Sequence, residues 1–251
     1  MLHNRRLKPT ERQHMKNQMD LLIEFTKDED PRARATAIAG LAKLADPRGF
    51  APVLVALFDP IDEVRITAAT ALGVFGDARA LEPLAACLGD ECEQVAVNCV
   101  WALGQIPGRE GVARLVELLA DEGAAAAVRT AAATALGERA EAKDRRLAAE
   151  LLQDDALVDA ARAALLTLLS SEDDELRATA VWALGHLPAS DGAVDALVAA
   201  LEDPYEWTVR YAVEALANAG DARAVEPLRK LAGDERQELR ELAEKALGII
   251  S

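Results

Sequence analysis

Aromatic side chains are scarce in this sequence, and their scarcity narrows the choice of fold. Phe, Trp and Tyr make up 4% of the 251 residues, although hydrophobic residues reach 51%. A sandwich or barrel core would need more large aromatic and β-branched side chains. The alanine- and leucine-rich composition therefore predicts thin layers of closely packed helices.

Residues that commonly carry out chemistry are also few. The three histidines, His3, His14 and His186, lie in no metal-binding or triad motif, and the glycines form no phosphate-cradling loop. Catalysis requires several converging groups. The sequence therefore predicts neither catalytic residues nor a bound cofactor.

The three cysteines, Cys87, Cys92 and Cys99, are too sparse for a disulfide scaffold. Cys92 and Cys99 are predicted to share one helix face, with Cys99 as a small buried core residue, while Cys87 replaces an apolar residue of the preceding helix. A metal ion would need three or four converging ligands. We predict no metal site, and these three thiols are the only candidates for one.

Long apolar runs are missing as well, which argues against a membrane span or a signal peptide and predicts a cytoplasmic protein. The formal net charge is −15, so nucleic acid is not an expected partner. Residues 1–20 carry five basic and two acidic side chains, which leaves a net charge of −18 on the remainder. This acidity indicates either a partner with a basic surface, or solubility and helix capping.

One segment recurs along the chain with an Ala-Leu-Gly element near its end. The leucine of this element recurs at Leu41, Leu72, Leu103, Leu136, Leu184, Leu216 and Leu247. The spacings are 31, 31, 33, 48, 32 and 31 residues. Such a period is typical of stacked structural repeats.

Each repeat is predicted to contain two helices, A and B. In the second repeat, helix A covers residues 49–58 and helix B residues 60–75, where Val64, Ala68, Ala71 and Leu72 form one apolar stripe. Aspartates are expected to cap the B helices, and in three B helices a proline follows at the first helical position. Other aspartates are expected to cap the A helices. The proposed B-helix caps are Asp30, Asp59, Asp90, Asp121, Asp203 and Asp234, and the A-helix caps are Asp46, Asp77 and Asp221.

This Asp-Pro, Val-Arg, Ala-Leu-Gly, Gly-Asp, Leu-x-Pro-Leu pattern resembles HEAT repeats, specifically the short bacterial repeats of phycobilin-lyase-type proteins. The resemblance implies a ladder in which an Asp at the A–B turn pairs with an Arg six residues later, as in Asp59/Arg65 and Asp234/Arg240. Ala96 replaces the arginine in the third repeat. A HEAT-based diiron hydroxylase would need His-Glu dipeptides, and this chain contains none.

The predicted fold is therefore all-α, a right-handed α-solenoid of about seven HEAT-like helix pairs in a single domain over residues 1–251. Residues 10–45 form an N-terminal capping repeat and residues 222–251 a C-terminal repeat. The step of 48 places an irregular insertion at residues 138–154, either an extra helix or an extension of the fourth B helix.

Partner-binding residues are predicted on the B helices, which in such arrays line a concave groove. The position two residues before each repeated leucine should face solvent, and it holds two of the three tryptophans. The candidate partner-binding residues are Trp101, Trp182, His186, Tyr205, Trp207 and Tyr211. Exposed aromatic rings are favoured interface anchors, but the rings could instead pack between neighbouring B helices.

The sequence favours a non-enzymatic scaffold or adaptor that binds a protein or peptide. The resemblance implies two alternatives, each acting with a partner subunit. One is a chromophore-lyase-like protein that handles bilins, and the other is an iron–sulfur or metal delivery factor.

Overall fold

The computed structural model describes residues 18–141 and 153–250. Within these ranges the chain forms fourteen α-helices and no β-strand, which confirms the all-α prediction. The described residues fall into two compact units, one ending at Ile106 and the other beginning at Pro107. The prediction of one continuous domain over residues 1–251 stays a prediction.

The first unit contains three helix pairs. Its helices are α1 (18–25), α2 (Pro31–Leu44), α3 (Phe50–Ala56), α4 (Asp62–Phe75), α5 (Leu81–Ala86) and α6 (Glu93–Gln105). The even-numbered helices are the B helices, and α4 packs directly on both α2 and α6.

The second unit contains four helix pairs. Its helices are α7 (Arg109–Ala120), α8 (Ala126–Glu141), α9 (Asp155–Leu168), α10 (Asp174–His186), α11 (Asp191–Ala200), α12 (Glu206–Ala219), α13 (Val225–Leu231) and α14 (Gln237–Ile250). The B helices α8, α10, α12 and α14 pack on one another in that order.

The predicted insertion at residues 138–154 lies only partly within the described chain. Residues 138–141 end helix α8, and Asp154 caps α9 by accepting a hydrogen bond from the Leu157 N–H. Residues 142–152 lie outside the described residues. Helix α8 nevertheless packs directly on α10, and α7 packs on α9. The fourth and fifth repeats are therefore neighbours despite the longer step between them.

The repeated leucines form the core of each helix pair. Leu41, Leu72, Leu103, Leu136 and Leu216 are completely buried, and Leu184 is nearly so. Each such side chain contributes roughly 2 kcal/mol through removal from water. The predicted stripe of Val64, Ala68, Ala71 and Leu72 is also buried. Leu247, in the last described helix, is only partly buried.

The glycine of the repeated element has a packing role. A Cβ added to Gly73 would lie 3.0 Å from the Ala102 Cα, and one added to Gly185 would lie 2.7 Å from the Ala215 Cβ. Both contacts are with the next B helix. The absence of a side chain thus lets successive B helices approach closely.

Aspartates and glycines form the turns at several helix ends, as the sequence predicts. Asp46, Asp77 and Asp221 each accept the N–H two residues later and lead into an A helix, as predicted. Gly76 and Gly220 end B helices with φ of 59° and 64°, a left-handed conformation that favours glycine.

Most of the B-helix caps were predicted wrongly. Asp30 does cap α2, with Pro31 as the first helical residue. Asp59, Asp90, Asp121, Asp203 and Asp234 instead accept the N–H two residues later, within turns that precede the helices. Helix α4 accordingly begins at Asp62 and α12 at Glu206, so Pro60 and Pro204 lie before their helices.

The arginine ladder connects repeats instead of closing within one. Arg65 donates from Nη1 to the carbonyl oxygen of Asp59, at 2.9 Å, but its carboxylate partner is Asp90 of the next repeat. The two Arg65–Asp90 hydrogen bonds are both 2.8 Å long. Arg34 binds Asp59 in the same bidentate manner, and Arg177 binds Asp203. The resemblance implied that each arginine pairs with the aspartate six residues before it. In these three cases the arginine instead pairs with the aspartate of the following repeat.

Candidate partner-binding surface

Trp182 and Trp101 occupy equivalent places on their B helices, and both are partly buried. The Trp182 ring covers Gly137 of α8, where an added Cβ would lie 2.2 Å from Cζ3 of the indole. The Trp101 ring covers Gly73 of α4 in the first unit, at 2.7 Å from the corresponding Cβ position. Both rings thus pack against the preceding B helix, which was the alternative to full exposure.

His186 lies one helical turn beyond Trp182 on α10. Its Nδ1 is 2.8 Å from the carbonyl oxygen of Trp182, and the two ring centroids are 4.6 Å apart. The Nε2 atom of His186 is 3.5 Å from Oε2 of Glu141, at the end of α8. The imidazole thus lies between two B helices and contacts the backbone carbonyl of its own helix.

These side chains form one wall of a small pocket on the B-helix surface of the second unit. The pocket has a volume of about 190 Å³. Its lining combines aromatic, acidic and amide side chains with two small residues, namely Glu141, Trp182, Gly185, His186, Tyr211, Glu214, Ala215 and Asn218. We call it the α8–α10–α12 pocket. Three of the predicted partner-binding residues, Trp182, His186 and Tyr211, meet there.

Trp207 lies beside this pocket in the first turn of α12. Its side chain is 50% exposed, and its ring centroid is 5.9 Å from that of Tyr211. The Arg210 guanidinium lies 5.1 Å from the Trp207 ring centroid and forms hydrogen bonds with Glu206 and Glu238. These acidic partners raise the pKa of Arg210, with Glu238 as the main cause. Trp207 is therefore an exposed ring held by a neighbouring cation.

Tyr205 and Trp101, which were also predicted, are not among the lining residues of the pocket. Tyr205 is in the turn before α12, where its N–H donates to Oδ1 of Asp203 at 2.8 Å. Trp101 belongs to the first unit. In that unit, an apolar cavity of about 400 Å³ lies between α2 and α4, lined by residues that include Ala39, Thr70 and Val74.

Five lining residues of the pocket were not among the predicted site residues, namely Glu141, Gly185, Glu214, Ala215 and Asn218. Glu214 occupies the same position relative to its leucine as Trp182, so its place on this surface was foreseeable. Asn218 follows Glu214 by one helical turn. Glu141 carried no such signal, because it falls within the segment that interrupts the repeat period.

The cysteines do not form a metal centre in the described part of the chain. Cys87 and Cys99 are buried and share a hydrogen bond, and burial raises the pKa of both thiols. Cys92 is the N-cap of α6 and so lies one residue before the helix on which it was predicted. Over residues 18–141 and 153–250, no group of three or more His, Cys, Asp or Glu side chains is arranged to hold a metal ion.

None of the helices described is both long enough and apolar enough to cross a lipid bilayer.

The fold resembles that of a solved HEAT-like repeats protein. An archaeal HEAT-like repeats protein from Thermococcus onnurineus NA1 is 18% identical, with a TM-score of 0.56 over 94% of this chain and 96% of that one. A computationally designed armadillo repeat protein for modular peptide recognition is 21% identical, with a TM-score of 0.48 over 93% of this chain and all of that one. Human deoxyhypusine hydroxylase is 22% identical, with a TM-score of 0.43 over 97% and 99% of the two chains.

No curated protein matches the sequence. The family model for HEAT repeats, in contrast, matches three overlapping stretches, residues 19–96, 83–168 and 162–248. These stretches cover nearly all of the described helices. The chain belongs to the HEAT repeat family.

Proposed function

We propose that this chain is a non-enzymatic scaffold that binds a protein or peptide through the B-helix surface of its fifth and sixth repeats. The exposed Trp207 ring beside Tyr211 carries this proposal. Among the described residues, Phe25 and Phe58 of the first unit are exposed as well, but Trp207 is the only exposed tryptophan. Tryptophan is among the residues most enriched at the anchoring positions of protein interfaces. Trp182 and His186 extend the same surface through the α8–α10–α12 pocket.

A partner with basic groups suits the net charge of −15. The acidic residues at the starts of the B helices contribute less than their number implies. Asp90 and Asp203 are already neutralised by Arg65 and Arg177. Glu214, in contrast, is exposed on α12 beside the aromatic group. Such charges act mainly on association rate and on salt dependence. Nucleic acid is not a proposed partner, because the same charge would repel phosphates.

Capture of partners by the wild-type chain and two variants tests this function. Trp207→Ala should weaken binding of the true partner by about tenfold or more, because truncating an aromatic anchor removes much of the binding energy. Ile249→Ala is the matched control, since Ile249 is 61% exposed on α14 of the same unit. A partner identified by mass spectrometry supports the proposal only if Trp207→Ala loses it and Ile249→Ala retains it. Equal retention by both variants would contradict the proposal.

Trp182→Ala is a less direct probe of binding. Its ring fills the space above Gly137, so removing it would disturb the stacking of α8 and α10. Trp207 has no comparable role in the core and is the cleaner site to vary. Circular dichroism of each variant checks that the helices remain folded.

The resemblance to phycobilin-lyase-type repeats supports a second proposal, in which the chain handles a bilin together with a partner subunit. Iron–sulfur or metal delivery is a third, but the raised thiol pKa values of Cys87 and Cys99 disfavour it, since the thiolate is the metal ligand. Visible absorption bands in the purified protein would favour one of these over the scaffold. We place the scaffold in the cytoplasm, because free thiols suit a reducing compartment.

A further inference from the structure

We infer that the α8–α10–α12 pocket binds one cationic side chain, a lysine or an arginine, of the partner segment. This inference rests on the proposed scaffold function and specifies which group of the partner is recognised. It follows from the chemistry of the pocket walls, from their charge and from the rigidity of the Trp182 ring.

The aromatic walls can hold a cation. Trp182 and Tyr211 both line the pocket. The face of an indole or phenol ring attracts an ammonium or guanidinium group placed over it, and Trp is the most effective of the aromatic residues. Because Trp182 is packed against Gly137, its ring is already held in place before any ligand enters. A fixed ring avoids the entropic penalty of ordering a side chain on binding.

The charged walls select the same kind of ligand. Glu141 and Glu214 contribute two carboxylates, and Glu141 is 65% exposed at its side chain. Among the described residues that line the pocket, none is a lysine or an arginine. An anionic ligand would be repelled by both carboxylates. An apolar ligand would remove water from them without offering a hydrogen bond in return.

A larger pocket of the same unit shows why these features matter. It measures about 810 Å³ and is lined by residues of α11 and α13 and the turns that follow them. Its carboxylates already have cationic partners, with Lys230 bound to Glu202 at 2.8 Å and Arg236 bound to Asp234 at 2.9 Å. The smaller pocket has aromatic walls and no lysine or arginine in its described lining. Because Glu214 has no ion-pair partner among the described residues, an incoming cation would meet a free carboxylate there.

Asn218 and the imidazole of His186 complete the recognition. The amide oxygen of Asn218 can accept a hydrogen bond from an ammonium or guanidinium group. His186 is already engaged by the Trp182 carbonyl oxygen through Nδ1 and lies near Glu141 through Nε2. Its role is to pack on the Trp182 ring, whose centroid lies 4.6 Å from that of the imidazole.

Titration with blocked amino acids tests the pocket without knowledge of the partner. The probes are N-acetyl-lysine methylamide and N-acetyl-arginine methylamide, with the uncharged N-acetyl-norleucine methylamide as the shape control. The three tryptophans of the chain provide three indole N–H signals by NMR. We expect at least one cationic probe to shift the Trp182 signal saturably, with a dissociation constant on the order of millimolar. The Trp101 signal should not move, although that ring packs on a glycine in the same way.

Variants then assign the effect to the carboxylates. Glu214→Gln should weaken binding of the cationic probe by about tenfold, because a hydrogen bond to a charged group is lost. Glu244→Gln, an exposed position on α14, should have no effect. Three results would each overturn the inference: no saturable shift with either cation, an equal shift with norleucine, or equal weakening by both variants. If the titration shows no binding while partner capture still depends on Trp207, cation binding by the pocket is refuted and the scaffold function stands.

Discussion

The indole ring of Trp182 lies so close to the backbone at Gly137 that a Cβ on that glycine would be 2.2 Å from Cζ3 of the ring. The two residues are far apart in sequence and belong to successive B helices, α10 and α8. Their contact joins the fourth and fifth repeats across the segment that breaks the repeat period. It also fixes the ring that forms one wall of the α8–α10–α12 pocket.

Gly137→Ala should destabilise the protein by about 1–3 kcal/mol, because the added methyl group overlaps the Trp182 ring and forces the helices apart. Gly248→Ala on α14 is the control, since no atom lies within 4 Å of its Cβ position. That control should be neutral or stabilising by up to about 1 kcal/mol, owing to the better helix propensity of alanine. Urea unfolding measures both changes. Equal effects of the two substitutions would contradict the packing of Trp182 on Gly137.

Leu103→Ala should lower the free energy of unfolding by about 2–5 kcal/mol, as for other buried leucines. Leu103 is completely buried in the third repeat. Leu247→Ala should have a smaller effect, because Leu247 is partly exposed and its helix packs on only one neighbouring B helix in the described chain. Denaturant titration of the two variants compares them. A loss at Leu247 as large as that at Leu103 would be inconsistent with a stack whose end repeat is less tightly held.

Arg65→Ala should destabilise the protein by about 3 kcal/mol, because it leaves the partly buried Asp90 carboxylate without its bidentate partner. The side chains of Arg65 and Asp90 are only 11% and 12% exposed. Arg229→Ala removes an exposed ion pair with Glu226, in which the arginine side chain is 63% exposed, and should change stability by less than about 1 kcal/mol. Thermal unfolding of the two variants compares the buried ion pair with the exposed one. Similar losses would mean that the ladder arginines act as ordinary surface charges.

Stability should fall as the solution becomes acidic, and Asp90 should account for part of the loss. The Arg65 guanidinium lowers the pKa of Asp90 below its usual value in spite of partial burial. The unfolded chain therefore binds a proton more readily than the folded one, so the contribution of Asp90 is present at neutral pH. It begins to disappear below about pH 4 and is lost as the pH falls through the folded pKa. Asp90→Asn should be less stable at pH 7 and show a shallower loss between about pH 5 and pH 2. A parallel acid profile for the wild type and the variant would contradict this account.

The sequence by itself determined the class of fold and the repeat. The leucine period near 31 residues is visible in the sequence itself, and the helices and aspartate–glycine turns depend on interactions between residues close in the chain. Helical periodicity and turn preferences are local properties, so the order of the residues alone predicts them. The burial of Leu72 and Leu103 and the left-handed turn at Gly76 follow directly from these patterns.

Only the tertiary structure decided which distant residues meet. It paired Arg65 with Asp90 of the next repeat, although Asp59 was nearer in sequence. It also laid Trp182 on Gly137 and brought Glu141 beside His186, across a segment where the period fails. Such contacts depend on the rotation and offset of one helix against another. Those quantities are set by the packing of whole helix faces, because side chains from many positions must interdigitate at once.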